Sequence, residues 1–258
     1  VATLTATVQP GNVPPRVFLQ LTGATGTTVE VGRQDADGRT RPVRGGDPGT
    51  LSGGTWVGYD YESWFGQPMV YEAVTSGGTT LSASVQLDVA DVWLRHPGAP
   101  DLSVIVEIHG EPDETYALNR LVTAPLGRTY PIVTTDGRRK AKTATMVVAT
   151  WDDDQRNALH NIVADGAPLL LDVPPAKGWG LEHQYMAIAD VTAARATPEL
   201  AEFGGRLWSL PYDEVDRPVG GQQAQWTYAD VLARYATYNA VKAAYLTYND
   251  LLANTPSP

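Results

Sequence analysis

The 258-residue chain contains no cysteine, which excludes disulfides, cysteine-ligated zinc and thiol nucleophiles. Histidine is scarce as well. His96, His109, His160 and His183 lie far apart without the spacing of a metal-ligand set, so each is expected to pack or to face solvent. No apolar run approaches the ~20 residues of a membrane-spanning helix, and the opening Val-Ala-Thr-Leu lacks the basic stretch and apolar core of a secretory leader. Gly-x-Ser-x-Gly elbows, phosphate-cradling loops and dinucleotide fingerprints are missing. No catalytic, cofactor-binding or metal-binding residue is therefore assigned, and the chain is not expected to be an enzyme. Positive charge is in short supply too. Nineteen Lys and Arg stand against 29 Asp and Glu, a net charge of −10. A phosphate-tracking protein needs a basic stripe. The compact basic run Arg138-Arg139-Lys140 follows Thr135-Asp136-Gly137 and reads as the solvated flank of a hairpin turn. Sequence-specific nucleic-acid binding is not expected.

What is present is mainly β. Over residues 1–90, β-branched segments recur at Leu4–Val8, Val17–Leu21, Thr27–Val31, Val70–Val74 and Leu81–Leu87, separated by Pro10-Gly11-Asn12, Thr22-Gly23, Asp37-Gly38 and Thr75–Thr79. This spacing predicts an antiparallel β-sandwich, with a tight hairpin at Asp37-Gly38. Residues 91–217 predict an α+β unit with a mostly antiparallel sheet. Leu102, Val104, Val106 and Ile108 alternate with Ser103, Glu107 and His109, and further strands are expected at 129–135, 143–150, 168–173, 184–191 and 206–212. One amphipathic helix interrupts them. Thr150 is its expected cap, Asp152–Asp154 its first turn, Leu159, Ile162 and Val163 its buried stripe, and Asp165-Gly166 its end.

The last segment, 218–258, carries a ten-residue repeat: Thr227-Tyr228, Thr237-Tyr238 and Thr247-Tyr248. Two geometries compete. Thr caps a series of short helices, or one continuous or gently kinked helix aligns Tyr228, Val231, Tyr235, Tyr238, Val241, Tyr245, Tyr248 and Leu252 in a near-heptad stripe. The continuous helix is preferred. Such an aromatic face must pack on its own chain or on another.

Several clusters invite a chemical reading. Glu107 and His109 share a strand face, but that is also the solvent face opposite Val106 and Ile108. Asp152-Asp153-Asp154 is explained by a helix start, and Asp35-Ala36-Asp37-Gly38 lacks the remaining oxygen ligands of a calcium loop. Trp56, Tyr59, Tyr61, Trp64 and Phe65 form an aromatic group that packs the core or stacks on sugars. Trp179, between glycines on the loop begun by Pro174-Pro175, is either an interface anchor or an internal plug. Trp179, Trp226 and the tail stripe form the candidate interface.

The stretch Asp60–Ala73 resembles the end of a fibronectin type III-like sandwich. The remainder of the chain resembles minor tail proteins of phages that infect actinobacteria. The matching features are Asp91-Val92-Trp93-Leu94, Leu126-Gly127-Arg128 with Thr135–Arg139, Asp165–Leu171, Trp179-Gly180, Leu207–Pro211, Val215–Pro218 and the Thr-Tyr-x-Asp-Val-Leu tail. The resemblance implies a virion component made in the host cytoplasm and placed near the distal end of a long non-contractile tail. It implies a homo-oligomeric ring, hexameric or trimeric, of sandwich or split-barrel subunits. Tail tube, tape measure and tail-tip hub proteins would be the neighbours. An acidic subunit would also repel DNA passing through the lumen. An alternative is a carbohydrate-binding or adhesion module that presents its aromatics to host cell-wall glycans.

Overall fold

The computed structural model describes residues 1–109, 112–123, 126, 129–135, 137, 139–181, 183–196, 204–218 and 237–244. The chain divides into two compact units, Val1–Val219 and Gly220–Pro258. The described fold is mainly β, with antiparallel sheets.

Nine strands occupy the first 90 residues: β1 (Thr3–Gln9), β2 (Arg16–Thr22), β3 (Thr28–Gln34), β4 (Thr40–Pro42), β5 (Gly49–Thr50), β6 (Trp56–Asp60), β7 (Pro68–Thr75), β8 (Gly78–Leu81) and β9 (Val85–Gln86). They form two sheets. One runs β1-β2-β6; the other runs β4-β3-β7-β8, with β5 added to β3 and β9 to β7. Alternation decides what they bury. Val17, Leu19 and Leu21 of the first sheet meet Val29, Val31, Met69, Tyr71 and Ala73 of the second in one core. Trp56 sits in that core, 6% exposed, against glycine. A Cβ at Gly58 would stand 2.5 Å from its ring, so only glycine admits the indole there. The hairpin expected at Asp37-Gly38 joins β3 to β4, with Gly38 at φ +77°. The strand expected over Leu81–Leu87 is broken. The Ser82 amide still donates to Tyr71 O, but its hydroxyl rather than its carbonyl accepts from Tyr71 N at 3.0 Å, and β9 pairs separately with the start of β7.

Eleven strands occupy residues 91–217 among the described residues: β10 (Trp93–Arg95), β11 (Val104–Ile105), β12 (Glu107–Ile108), β13 (Thr115–Tyr116), β14 (Arg120–Thr123), β15 (Ile132–Thr135), β16 (Lys142–Thr150), β17 (Leu169–Asp172), β18 (Gln184–Ile188), β19 (Thr192–Arg195) and β20 (Arg206–Val215). The large sheet runs β11-β10-β17-β18-β20-β16-β12. Its two ends, β11 and β12, are neighbours in sequence. Ile105 pairs with Trp93 on one side, and Glu107 with Ala149 on the other. The Val106 amide donates to Val92 O and the His109 amide to Val147 O, so residues 104–109 stitch the two ends of the sheet together into a barrel. Leu94, Val106, Met146, Leu169, Leu171, Met186 and Leu210 fill it.

Helix α1 (Asp153–Ala164) packs against this core through Leu159 and Ile162. Its cap differs from the sequence expectation. Thr150 still belongs to β16, and its hydroxyl accepts from the Trp208 indole at 3.0 Å. Asp152 caps instead, accepting from Gln155 N at 2.8 Å, while Gln155 Oε1 accepts from Trp151 N: a reciprocal box. Gly166, at φ +70°, comes just after the helix end.

In the second unit, α2 (Tyr238–Ala244) starts behind a non-helical Thr237, whose hydroxyl accepts from Ala240 N at 3.2 Å. At this repeat the threonine hydroxyl acts as a cap, and the other two Thr-Tyr repeats lie outside the described residues.

Candidate interface

Strand alternation carries charge inward at one end of the first core. Val29, Val31 and Arg33 share a phase on β3, and Trp56 and Asp60 share one on β6. Arg33 is 3% exposed. It donates to Asp35 at 2.5 Å and to Asp60 at 2.6 Å. Asp60 also accepts from Tyr71 Oη at 2.9 Å and from Glu62 N at 2.8 Å. Arg41 pairs with the second oxygen of Asp35. Two residues beyond Asp60, the 2% exposed Glu62 gathers Arg44 at 2.8 Å, Arg217, and the Tyr185 hydroxyl at 2.7 Å.

The barrel supplies the opposite wall. On β10, Leu94 faces the barrel core while Trp93 joins the first core. Arg95, in phase with Trp93, donates to Tyr61 O and Ser63 O at 2.6 Å each and pairs with Asp172. The unalternating Leu169-Leu170-Leu171-Asp172 is therefore a strand covered on both faces. His183 lies at the margin, Nδ1 3.3 Å from Asp172 Oδ2 and its ring 5.0 Å from that of Trp64.

Electrostatics make this seam a clamp. Burial alone would raise the carboxyl pKa of Glu62, but Arg217 and Arg44 outweigh it and hold the group below the usual glutamate range. Asp60 is likewise held down, against its burial, chiefly by Arg33. Burial lowers Arg95 to about 10, which leaves it charged at neutral pH. His183 is pushed well below its ordinary 6.5 by burial and then by the surrounding arginines, and it stays neutral. Carboxylates engaged on several sides by guanidinium and hydroxyl donors have little capacity for proton transfer.

The opposite arrangement lies beyond the barrel. Strands β12 and β13 both pair with β16, and the same antiparallel hairpin continues as β14 with β15. At its root Lys142 pairs with Glu114 at 2.8 Å, and Lys140 N donates to Ala117 O. From Thr115 to Thr123 the ribbon spans at most about 30 Å. Every residue of β14 and β15 is exposed. Val122 opposes Val133 on one face, while Leu121 and Ile132 lie on the other. Leu121 remains 66% exposed and Val133 54%. The hairpin turn expected at 135–137 is displaced: β14 and β15 place the connection at 124–131.

A groove of about 610 Å³ lies beside α1, lined by Val104, Ile105 and Ala158 together with Asp91, Glu107 and Asp154. A second cleft of about 400 Å³ runs between Trp64, Pro174, Pro175 and His183. Trp179 lines both clefts and is half-buried against the barrel core, with Lys177 Nζ 6.0 Å above its ring. Val241 is half-buried on α2. Tyr238 lies on the same helix. Trp226, Tyr228, Val231, Tyr235, Tyr245, Tyr248 and Leu252 lie outside the described residues.

The sequence aromatics part company. Trp56 and Phe65 are core, and Trp64 joins the seam. Tyr59 and Tyr61 form an outer row with Phe18, ring centroids 5.3 and 5.9 Å apart, and Arg16 lies 4.2 Å above Tyr59. Glu107 and His109 are both exposed, and Glu107 accepts from the Trp151 indole at 2.6 Å. His96 is buried. Its Nδ1 accepts from Gly98 N and Ala99 N, and Nε2 donates to Asp165, tying a loop to the end of α1. Sequence reasoning passes over Arg33, Asp60, Glu62 and Arg95, although Val29-x-Val31-x-Arg33 and Trp56-x-Gly58-x-Asp60 carry two of them at the inward phase.

No protein-family model matches this chain, and no curated protein matches it.

Proposed function

We propose that the chain is a non-enzymatic structural subunit of a long-tailed phage, held in a distal tail or tail-tip ring by subunit–subunit contacts. The observation that carries this reading is the β14–β15 ribbon. A two-stranded hairpin exposed on both faces is marginal in water. Each aliphatic side chain that a neighbour covers adds about 1.5–3 kcal/mol on full burial. The clamped seam supports the reading as well, because it joins a fibronectin type III-like sandwich rigidly to a tail-ring-like barrel. The threonine-capped α2 offers a further surface for contact. Ring formation calls for three or six copies, with tail tube, tape measure or hub proteins above and below. Light scattering on the purified chain, with antibody labelling of purified particles, tests this. A discrete multimer and label at one tail end are expected. A strictly monomeric chain absent from particles overturns the proposal.

A second reading, glycan adhesion, draws on the outer row of Phe18, Tyr59 and Tyr61. Trp56 cannot contribute, because it is core. Cell-wall glycan pull-down lost in Tyr59→Ala and Tyr61→Ala would favour adhesion; equal recovery of the variants and the parent would remove it.

A further inference from the structure

The hairpin arm and the groove beside α1 match each other in chemistry. Residues 117–141 carry five basic side chains, Arg120, Arg128, Arg138, Arg139 and Lys140, against one acid, Asp136, a net charge of +4. The whole chain carries −10, which leaves −14 on all the other residues. Like charges along a ribbon discourage arm-to-arm pairing, whereas the rest of a second copy attracts it.

The groove offers what such an arm needs. Its lining combines apolar Val104, Ile105 and Ala158 with three exposed carboxylates, Asp91, Glu107 and Asp154, against a single lysine, Lys177. Ile105 is 55% exposed, an unusual position for isoleucine on a barrel strand. Residues 104–109 pair with β10 through β11 and with β16 through β12, each only two residues long, so this face offers little strand edge to add to. Recognition there rests chiefly on side chains, and the arm shows apolar side chains on both faces.

We infer that the β14–β15 arm of one copy docks in the groove beside α1 of a second copy, with its Leu121–Ile132 face inward and its net positive charge set against Asp91, Glu107 and Asp154. The contact is heterologous: each chain uses its arm on one neighbour and its groove on the other, so it propagates into a ring or a filament. The docking rests on the ring-subunit proposal and supplies its contact.

Two chains, each broken at one end, test the inference. Leu121→Asp with Val133→Asp disables the arm; Ile105→Arg with Asp154→Arg disables the groove. Each change should weaken self-association by at least roughly a hundredfold, leaving monomers in light scattering. Mixed in equal amounts, the two should form a heterodimer and nothing larger, since only one intact arm and one intact groove remain. A groove variant that assembles like the parent, or a mixture that stays monomeric, overturns the docking while leaving a multimeric parent in place. A monomeric parent overturns the assembly reading itself. Crosslinking avoids charge reversal altogether. The chain has no cysteine, so Leu121→Cys and Ile105→Cys chains treated with a short bismaleimide should join only to each other. Homodimers of Leu121→Cys alone would establish arm-to-arm pairing and overturn the inference.

Discussion

The seam and the arm invert the usual distribution of residues in opposite directions. At the seam Arg33, Asp60, Glu62 and Arg95 lie inside, each less than 4% exposed, and every one meets partners from the same chain. On the arm Leu121, Val122, Ile132 and Val133 lie outside, and no described residue covers them. Buried charge is costly unless it is paired, and exposed aliphatic surface is costly unless something covers it. The first cost is offset within residues 1–219, while the second is left open. Where the offset comes from, and not composition, separates the seam from the arm.

The comparison breaks most readily at Arg33. Arg33→Ala leaves Asp35 and Asp60 buried without their shared cation, and the cost should be about 3–5 kcal/mol in urea unfolding. A loss below about 1 kcal/mol would mean that water reaches the seam, and the contrast with the arm would collapse. The pH profile comes next. His183 has a folded pKa below its unfolded 6.5, so the unfolded chain binds the proton first as pH falls. Stability is therefore complete above pH 6.5 and declines beneath it toward the depressed value. Glu62 behaves likewise from 4.5 downward. His183→Gln should remove the decline that begins at pH 6.5 and keep the one that begins at 4.5, read as unfolding midpoints across pH.

Much of the fold is legible in the sequence and part is not. Period-2 alternation marks β2, β3 and β7 directly, and the same period carries Arg33 and Asp60 inward. The seam charges are thus legible in phase but look like turn residues by type. Barrel closure is not legible. Residues 104–109 alternate like one strand, yet they hydrogen-bond to β10 on one side and β16 on the other, a choice that only the distant partners make. The arm hides for a related reason. Arg120-Leu121-Val122-Thr123 has no buried face, so it has no hydrophobic alternation to betray a strand. Helix α1 lies where its amphipathic pattern puts it, but by type Thr150 is as good a cap as Asp152. Only the Trp208 indole, 58 residues away, shows that the threonine is engaged elsewhere.

The choice of cap gives a smaller effect. Asp152→Ala removes the acceptor for Gln155 N and should cost about 1 kcal/mol. Because α1 flanks the groove, the same variant separates local fraying from loss of docking. Thermal midpoint falls, while self-association at 25 °C changes little if Asp154 and Ile105 hold their places.

The smallest effect on the monomer is expected at the arm, and its smallness is the point. Leu121→Ser with Val133→Ser removes apolar surface that the isolated subunit never buries, so stability below the assembly concentration should change by no more than about 0.5 kcal/mol. Leu94→Ala, inside the barrel, should cost about 2–5 kcal/mol under the same conditions. The ranking reverses when assembly is measured. On the docking proposal, Leu94→Ala should keep self-association at temperatures where the fold survives, whereas the double serine variant should lose it. A serine pair as damaging to the monomer as Leu94→Ala would mean that the arm folds back on its own chain, and the two inversions would then be resolved in the same way.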